Sequence, residues 1–281
     1  MHIGVNMAIL DHSMDVAELA QKAESLGFES IWLPEHTIIP VHTTSRYAGS
    51  ADGSIPEYMS GMTDPYIGLA RASAVTQDLK LCTGISLIPE RNPLVLANEI
   101  ATLDLFSGGR VILGIGAGWL REESEILGGD FDHRWSQARE AVLVMKELWT
   151  KDEAEFHGKY YNFPPVKCYP KPAQKPHPPV ILGGTAQNVF KRVVAWGDGW
   201  MPAGGNPQQL KQGRAILDEL AEAAGRDPRS IQVTAFGQPA DPELVKGFEE
   251  AGADRVIVRL ATTRPGEAME ELERMAQQVI G

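Results

Sequence analysis

Two places in the chain put reactive or ligand-facing groups directly after short apolar runs. The first is Pro34-Glu35-His36, following Ser30 to Leu33. A neutral imidazole donates or accepts a proton near neutral pH, so His36 suits proton transfer coupled to another bond change. Taken alone, a histidine at a strand end caps a loop by hydrogen bonding just as readily. Glu35 alternates to the other side of that run, and a carboxylate turned into a core needs a partner or must hold its proton more tightly. By itself it reads as an ion-paired inner residue. The second place is Gly114 to Trp119, GIGAGW, where Gly116, Ala117 and Gly118 leave the end of an apolar run nearly free of side chains. A ligand can then lie against backbone amides, although a bare GxGxG serves equally well as a tight turn. It is not the dinucleotide fingerprint, because Arg121 stands where the last glycine belongs and no strand from the start of the chain leads into it.

The elements that position these groups follow from periodicity. Short apolar runs at Ile3 to Asn6, Ser30 to Leu33, Leu79 to Ile88, Arg110 to Ile115, Val180 to Leu182, Gly199 to Met201, Ile231 to Phe236 and Arg255 to Leu260 read as strands. Helical spacing follows each: Met14 to Leu26, Asp64-Pro65 to about Thr76, Pro93 to Phe106, then Glu122 to Leu127 with Trp135 to Trp149, then Ala186 to Trp196, Pro207 to Ala224, Pro242 to Ala251 and Gly266 to Val279. Val111 to Ile115 is too apolar for a strand with one wet face, so it belongs to a parallel sheet covered by helices. Two stretches break the alternation, Thr37 to Met62 and the Pro-, Lys- and Tyr-dense Phe156 to Pro179, and these read as insertions after strands two and four. A doubly wound sheet alternates in the same way. The number of βα units, and a length of 281 residues against roughly 250 for a (β/α)8 barrel, predict one closed TIM barrel over 1–281. Its site is then assembled from strand ends: Asn6, Glu35-His36, Gly84 to Leu87, Gly116 to Trp119, Gly183 to Thr185 and the loops around Ala203 and Leu260.

Composition narrows the partners. A formal net charge of -11 argues against nucleic acid, which needs clustered Lys and Arg. The chain has only two cysteines, Cys82 and Cys168, and no CxxC, which suits a reducing cytoplasm. No opening segment resembles a signal peptide, and no apolar run approaches the ~20 residues of a membrane span. The expectation is a cytoplasmic protein acting on a small-molecule substrate, without membrane or nucleic-acid partners. No HxH or HExxH pattern supports a metal-dependent barrel hydrolase, and no metal site is expected.

Four blocks in order carry a resemblance: IWLPEH (31–36), LCTGISLIPERNPLVLANEIATLDLFSGGRVILGIGAGW (81–119), PKPAQKPHPPVILGG (170–184) and GDGWMP (197–202). They resemble the luciferase-like oxidoreductases over nearly the whole chain, and within them the branch that uses the deazaflavin coenzyme F420. The resemblance implies a (β/α)8 barrel with a planar cofactor at the carboxyl ends of the strands, hydride transfer to or from a small organic substrate, and a homodimer. It further implies His36 beside the cofactor ring, a non-prolyl cis peptide at Gly84-Ile85 behind that ring, and cofactor contacts from Asn6, Gly116 to Trp119 and Gly183-Gly184-Thr185. The last of these precedes a helix whose first amides attract phosphate. FMN is the alternative cofactor, with a luciferase-like monooxygenase as the alternative activity and a catalytically silent flavin-binding barrel as the third. FMN-using relatives commonly place an arginine in the loop that here is Gly116-Ala117-Gly118-Trp119. Lys159, Lys167, Lys171 and Lys175 are candidates for a polyanionic tail, each more simply read as a solvated loop residue. Tyr47, Tyr58 and Met62 are candidates for a substrate wall.

Overall fold

The computed structural model describes residues 1–262 and 264–281. In chain order the elements are β1 (His2–Asn6), α1 (Val16–Ser25), β2 (Ser30–Leu33), α2 (Pro65–Ser73), β3 (Lys80–Thr83), β4 (Ser86–Leu87), α3 (Pro93–Phe106), β5 (Val111–Gly116), α4 (Arg121–Ile126), α5 (Arg134–Thr150), β6 (Ala154–His157), β7 (Asn162–Val166), β8 (Val180–Gly183), α6 (Asn188–Trp196), β9 (Gly199–Met201), α7 (Pro207–Ala223), β10 (Gln232–Gln238), α8 (Pro242–Glu250), β11 (Arg255–Arg259) and α9 (Pro265–Val279). Eight strands run in the order β3-β2-β1-β11-β10-β9-β8-β5, and the β3–β5 pairing closes the ring. Every pairing around the ring is parallel. This is the (β/α)8 TIM barrel.

Closure follows from strands covered on both faces. All six residues of β5 and all four of β2 and β8 are buried, which only a sheet with helices outside and side chains inside allows. Inside the ring, Trp32, Cys82, Ile112, Ile181, Met201 and Ile257 fill the barrel, with Ile85 and Phe236 packed on top of them. Outside, α1 turns Leu19, Ala20 and Ala23 inward and α3 turns Leu96, Ala97, Ile100 and Ala101 inward, all nearly or fully buried. Each large aliphatic side chain of this kind contributes about 1.5–3 kcal/mol of burial. Helix starts repeat one device, a polar cap followed by proline. Asp64, Asn92 and Asp241 each accept two first-turn amides ahead of Pro65, Pro93 and Pro242.

Two sequence expectations change in form. The third strand is not continuous from Leu79 to Ile88: it stops at Thr83, passes the non-prolyl cis bond Gly84-Ile85, and resumes as the short β4 against β5. An antiparallel hairpin, β6 with β7, starts at Ala154 and runs into the Phe156 to Pro179 excursion, whose Pro-rich composition conceals it. The Thr37 to Met62 segment is irregular apart from one turn of 3-10 helix at Glu57–Gly61.

Candidate active site

His36 leaves the carboxyl end of β2 and is fixed from both sides. Its Nδ1 lies 2.6 Å from Oε2 of Glu123 and its Nε2 lies 3.2 Å from Nε1 of Trp119. Glu123 is fully buried, and its other oxygen accepts the backbone N–H groups of Thr37 and Ile38 at 3.0 and 3.3 Å. A carboxylate engaged by two amides accepts from His36, and an indole N–H can only donate, so the imidazole carries its proton on Nδ1 and presents Nε2 as the acceptor. Glu123 comes from the first turn of α4, immediately after the glycine loop, where a helix favours negative charge. Sequence reasoning placed that helix but passed over this carboxylate. Its signal was position: a second glutamate in the first turn that follows a strand's carboxyl end.

Trp119 packs edge-on to His36, with ring centroids 5.7 Å apart, and Tyr47 of the insertion packs tilted against it at 5.3 Å. The insertion is held there by Glu122, which accepts from Thr44 N at 2.7 Å, Thr44 Oγ1 at 2.9 Å and Ser45 Oγ at 2.7 Å. The Ser45 and Thr44 hydrogen bonds hold the Glu122 carboxyl well below the usual range. The Thr37 to Met62 segment therefore walls the barrel mouth with Tyr47. Tyr58 remains 44% exposed, and Met62 pairs with Leu10 in an isolated bridge.

Glu35 turns away from His36 into a separate buried network. Its Oε2 accepts from Ser86 Oγ at 2.8 Å and Leu87 N at 2.7 Å, and its Oε1 accepts from Arg91 Nε at 2.5 Å. Tyr66 donates to Ser86 at 2.8 Å, and the Arg91 guanidinium lies over the Tyr66 ring and also reaches Asp64 at 2.6 Å. This is the ion-paired inner arrangement. A third carboxylate has no such partners: Glu90 is 9% exposed, and neither of its oxygens has a hydrogen-bond partner among the described residues. Burial first, then the charges of Glu123 and Glu35, push its carboxyl up to about 9 against the opposing pull of Arg91.

The floor of the mouth is made by close backbone approach. A Cβ on Gly116 would meet Ile85 Cδ1 at 2.0 Å and one on Gly183 would meet Ile85 Cγ2 at 3.3 Å, so Ile85 lies across the ends of β5 and β8. Gly84 is likewise closed in by the Phe236 ring, which a Cβ there would meet at 2.7 Å. Asn6, at the end of β1, donates from its amide to Trp32 O at 3.0 Å and ties β1 to β2 beneath this floor. Across the mouth, Gly183-Gly184-Thr185 leads into α6, whose cap residue Gln187 makes no side-chain capping bond. Within that turn Val189 N is taken by Ala186 O at 2.8 Å, and the turn stands beside a cavity of about 270 Å³ that reaches Thr185, Trp200 and Asn206 but not His36. An apolar floor, a histidine at its edge and a helix start without a side-chain cap at its far end fit a planar cofactor with a phosphate-bearing tail.

The lysines are placed differently from the tail-binding expectation. Lys171 donates to Leu148 O at 2.7 Å at the carboxyl end of α5, and Lys175 donates to Pro172 O at 2.9 Å. Neighbouring Gln174 bonds Val111 O at the start of β5, which places this part of the loop at the amino ends of the strands, opposite the mouth. Lys159 sits over the Tyr160 ring, and Lys167 pairs with Glu153. Among the described residues no cluster of three or more His, Cys, Asp or Glu is arranged to hold a metal ion, and no helix is long and apolar enough to cross a membrane.

Comparison with known proteins identifies the family and the fold. The chain is 35% identical over 280 residues to an uncharacterised protein of Mycobacterium tuberculosis, covering 98% of each. It is 30% identical to an F420-dependent glucose-6-phosphate dehydrogenase of Amycolatopsis mediterranei, covering 78% of this chain and 63% of that one. It is equally similar, at 30%, to an FMNH2-dependent dimethylsulfone monooxygenase of Pseudomonas putida, covering 82% and 64%. Among solved structures, an F420-dependent secondary alcohol dehydrogenase superposes with a TM-score of 0.79 at 20% identity, covering 99% of this chain and 98% of that one. The family model described as luciferase-like monooxygenase matches residues 7–240, and the chain, a closed (β/α)8 barrel, belongs to that family of oxidoreductases.

Proposed function

We propose that this chain is an F420-dependent oxidoreductase that moves a hydride between the deazaflavin and a small organic substrate, with His36 as the acid–base group. The observation that carries the choice of cofactor is the absence of a free arginine from the loop 116–119. The arginines around that loop already have partners: Arg91 with Glu35 and Asp64, Arg121 with Glu125 and Asp132 over the Phe131 ring, and Arg134 with the carbonyls of Phe131 and of Gly118 in the loop itself. A short FMN phosphate favours a fixed cation, whereas a longer tail needs room along the strand ends near Gly183 to Thr185.

When bound, the deazaflavin supplies the carbon that accepts or donates hydride. The residues of this chain handle the proton. The Trp119 N–H reaches Nε2 of His36 at 3.2 Å, a long bond that a substrate hydroxyl can replace. In the oxidising direction the hydroxyl proton passes to Nε2 as hydride leaves the carbon, and the imidazolium that forms is countered by Glu123 at 2.6 Å. In the reducing direction the same Nε2–H protonates the substrate oxygen. Glu35 acts indirectly by fixing Ser86, Leu87 and Arg91 under the β3–β4 break. Tyr47 and Trp119 exclude water from one side of the mouth. The exposed apolar residues Ile67 on α2 and Val95 and Phe106 on α3 support a homodimer that would cover them.

The test is the absorbance spectrum of protein purified from a host that makes both F420 and FMN, followed by turnover of wild type and His36→Ala. A deazaflavin spectrum, with a loss of about a hundredfold or more in His36→Ala, is the expected pair of results. A bound FMN spectrum with oxygen-dependent turnover would assign the chain to the monooxygenase reading.

A further inference from the structure

The Glu35 and Glu123 carboxylates of the mouth are satisfied, and His36 is held on both nitrogens. Glu90 is the exception. It ends the Ile88–Glu90 turn after β4, more than nine-tenths buried, with both oxygens unpartnered. Its carboxyl lies directly beneath the glycine loop, where a Cβ on Gly118 would come within 2.9 Å of Oε1, and Gly118 has a φ of +81°. Any side chain there would press on the Glu90 carboxyl, so loop and acid share one small space. Glu123 from α4, Glu35 from the end of β2 and Arg91 from the same turn act on its charge, and Arg134 of α5 donates to Gly118 O at 3.1 Å. Arg91 is occupied by Glu35 and Asp64, and Arg134 by Gly118 and Phe131 carbonyls. Neither cation hydrogen-bonds Glu90, and Arg91 only partly offsets the push of the two carboxylates.

We propose that Glu90 is a positioning residue of the reaction, an uncharged carboxylic acid beneath the Gly116–Trp119 loop whose ionisation would disturb that loop and the Glu123–His36 pair it adjoins. Three buried carboxylates cannot all carry charge around one histidine and one shared arginine, and the unpartnered one is the one that keeps its proton. Its carboxyl, pushed up to about 9 chiefly by burial and then by Glu123, stays neutral through the physiological range. While neutral it leaves Glu123 as the single counter-charge to an imidazolium at His36. Once ionised, it places an unsolvated negative charge under Gly118, which moves the loop carrying Trp119. The inference rests on His36 being the acid–base group, but the protonation of Glu90 can be read without any turnover.

The experiment has two arms. Infrared difference spectra of wild type between pH 7 and pH 10 are expected to show a protonated-carboxyl band at pH 7 that disappears at pH 10 and is missing from Glu90→Gln. In kinetics, Glu90→Ala is expected to lower kcat/KM at pH 7 at least tenfold. Glu90→Gln, uncharged and of the same shape, is expected to rescue most of that loss and to abolish the fall in kcat/KM centred near pH 9. Absence of the band from wild type at pH 7 overturns the proposal whatever the reaction proves to be. A Glu90→Gln enzyme as impaired as Glu90→Ala overturns it too, because Glu90 would then act as a carboxylate. If the band is present and assigned to Glu90 but the pH profile is unmoved, Glu90 is a structural acid only and the positioning role is refuted.

Discussion

Glu123→Gln is the substitution whose consequences follow most directly from the distances. The side chain keeps its shape, loses its charge, and exchanges one acceptor oxygen for a donor. Wild-type Glu123 accepts from His36 Nδ1 at 2.6 Å and from the amides of Thr37 and Ile38 at 3.0 and 3.3 Å, with no exposure to water. The amide oxygen of glutamine can serve only one of these sides. If it faces the backbone, its NH2 faces Nδ1 and forces the imidazole proton onto Nε2, against the Trp119 N–H 3.2 Å away. If it faces His36, two backbone amides lose their acceptor. Hydrogen bonds to a charged partner contribute about 1.5–3 kcal/mol each, so a stability loss of a few kcal/mol is expected in either case. The kinetic effect is larger, because a histidine held in the wrong tautomer and without its counter-charge loses about 10²- to 10⁴-fold in rate. The assay is kcat/KM at saturating cofactor across pH, with urea denaturation run in parallel to separate folding from chemistry. A Glu123→Gln enzyme within threefold of wild type would refute the reading of the Glu123–His36 pair.

Other expectations come from the same geometry. Glu90 binds its proton more tightly folded than unfolded, so between its ordinary 4.5 and about 9 the folded state carries the extra proton and stability falls as pH rises through that window. Glu90→Gln removes this cost and is expected to be more stable than wild type at pH 9 by a few kcal/mol, a ceiling on the order of 6, with denaturation at pH 5, 7 and 9 as the check; equal stability at all three would contradict it. Arg91→Met leaves Glu35 buried without its cation, and chemical denaturation is expected to read a loss of about 3–5 kcal/mol; a loss under 1 kcal/mol would show the pair to be dispensable. Tyr47→Ala opens the wall beside Trp119 and is expected to raise KM for the substrate about tenfold, the ~1.4 kcal/mol of one aromatic contact, with kcat little changed. Phe106→Asp, on the exposed end of α3, is expected to convert a dimer to a monomer in sedimentation at micromolar concentration, and an unchanged species would locate the interface elsewhere.

The strands and helices were legible because their signals are local: fully apolar runs for covered strands, and Asp-Pro or Asn-Pro pairs at helix starts. Boundaries for Ser30–Leu33, Pro93–Phe106 and Gly199–Met201 coincide with the reading from sequence. The break at Gly84-Ile85 came from family resemblance and not from any periodicity, and the β6–β7 hairpin was hidden by Pro164 and Pro165 within it. Site residues divide in the same way. His36 and Trp119 stand at strand ends, where position alone nominates them. Glu123 and Glu90 do not, because their importance lies in what surrounds them in space: a histidine 87 positions away in one case, and the lack of any partner in the other. A glutamate in a helix's first turn or after a proline looks like ordinary surface charge until burial is known. Tail binding was the weaker of the two readings of the lysines, since charge composition cannot tell the two ends of a barrel apart.

The identity of the cofactor is tested most directly by titration calorimetry of the apoprotein with F420 and with FMN under the same buffer and salt. The uncharged Gly116–Trp119 loop, with Arg91 and Arg121 committed to carboxylates, predicts that F420 binds at least ten times more tightly, a difference of ~1.4 kcal/mol. FMN binding ten times more tightly than F420 would contradict the deazaflavin assignment and leave the flavin-dependent monooxygenase in its place.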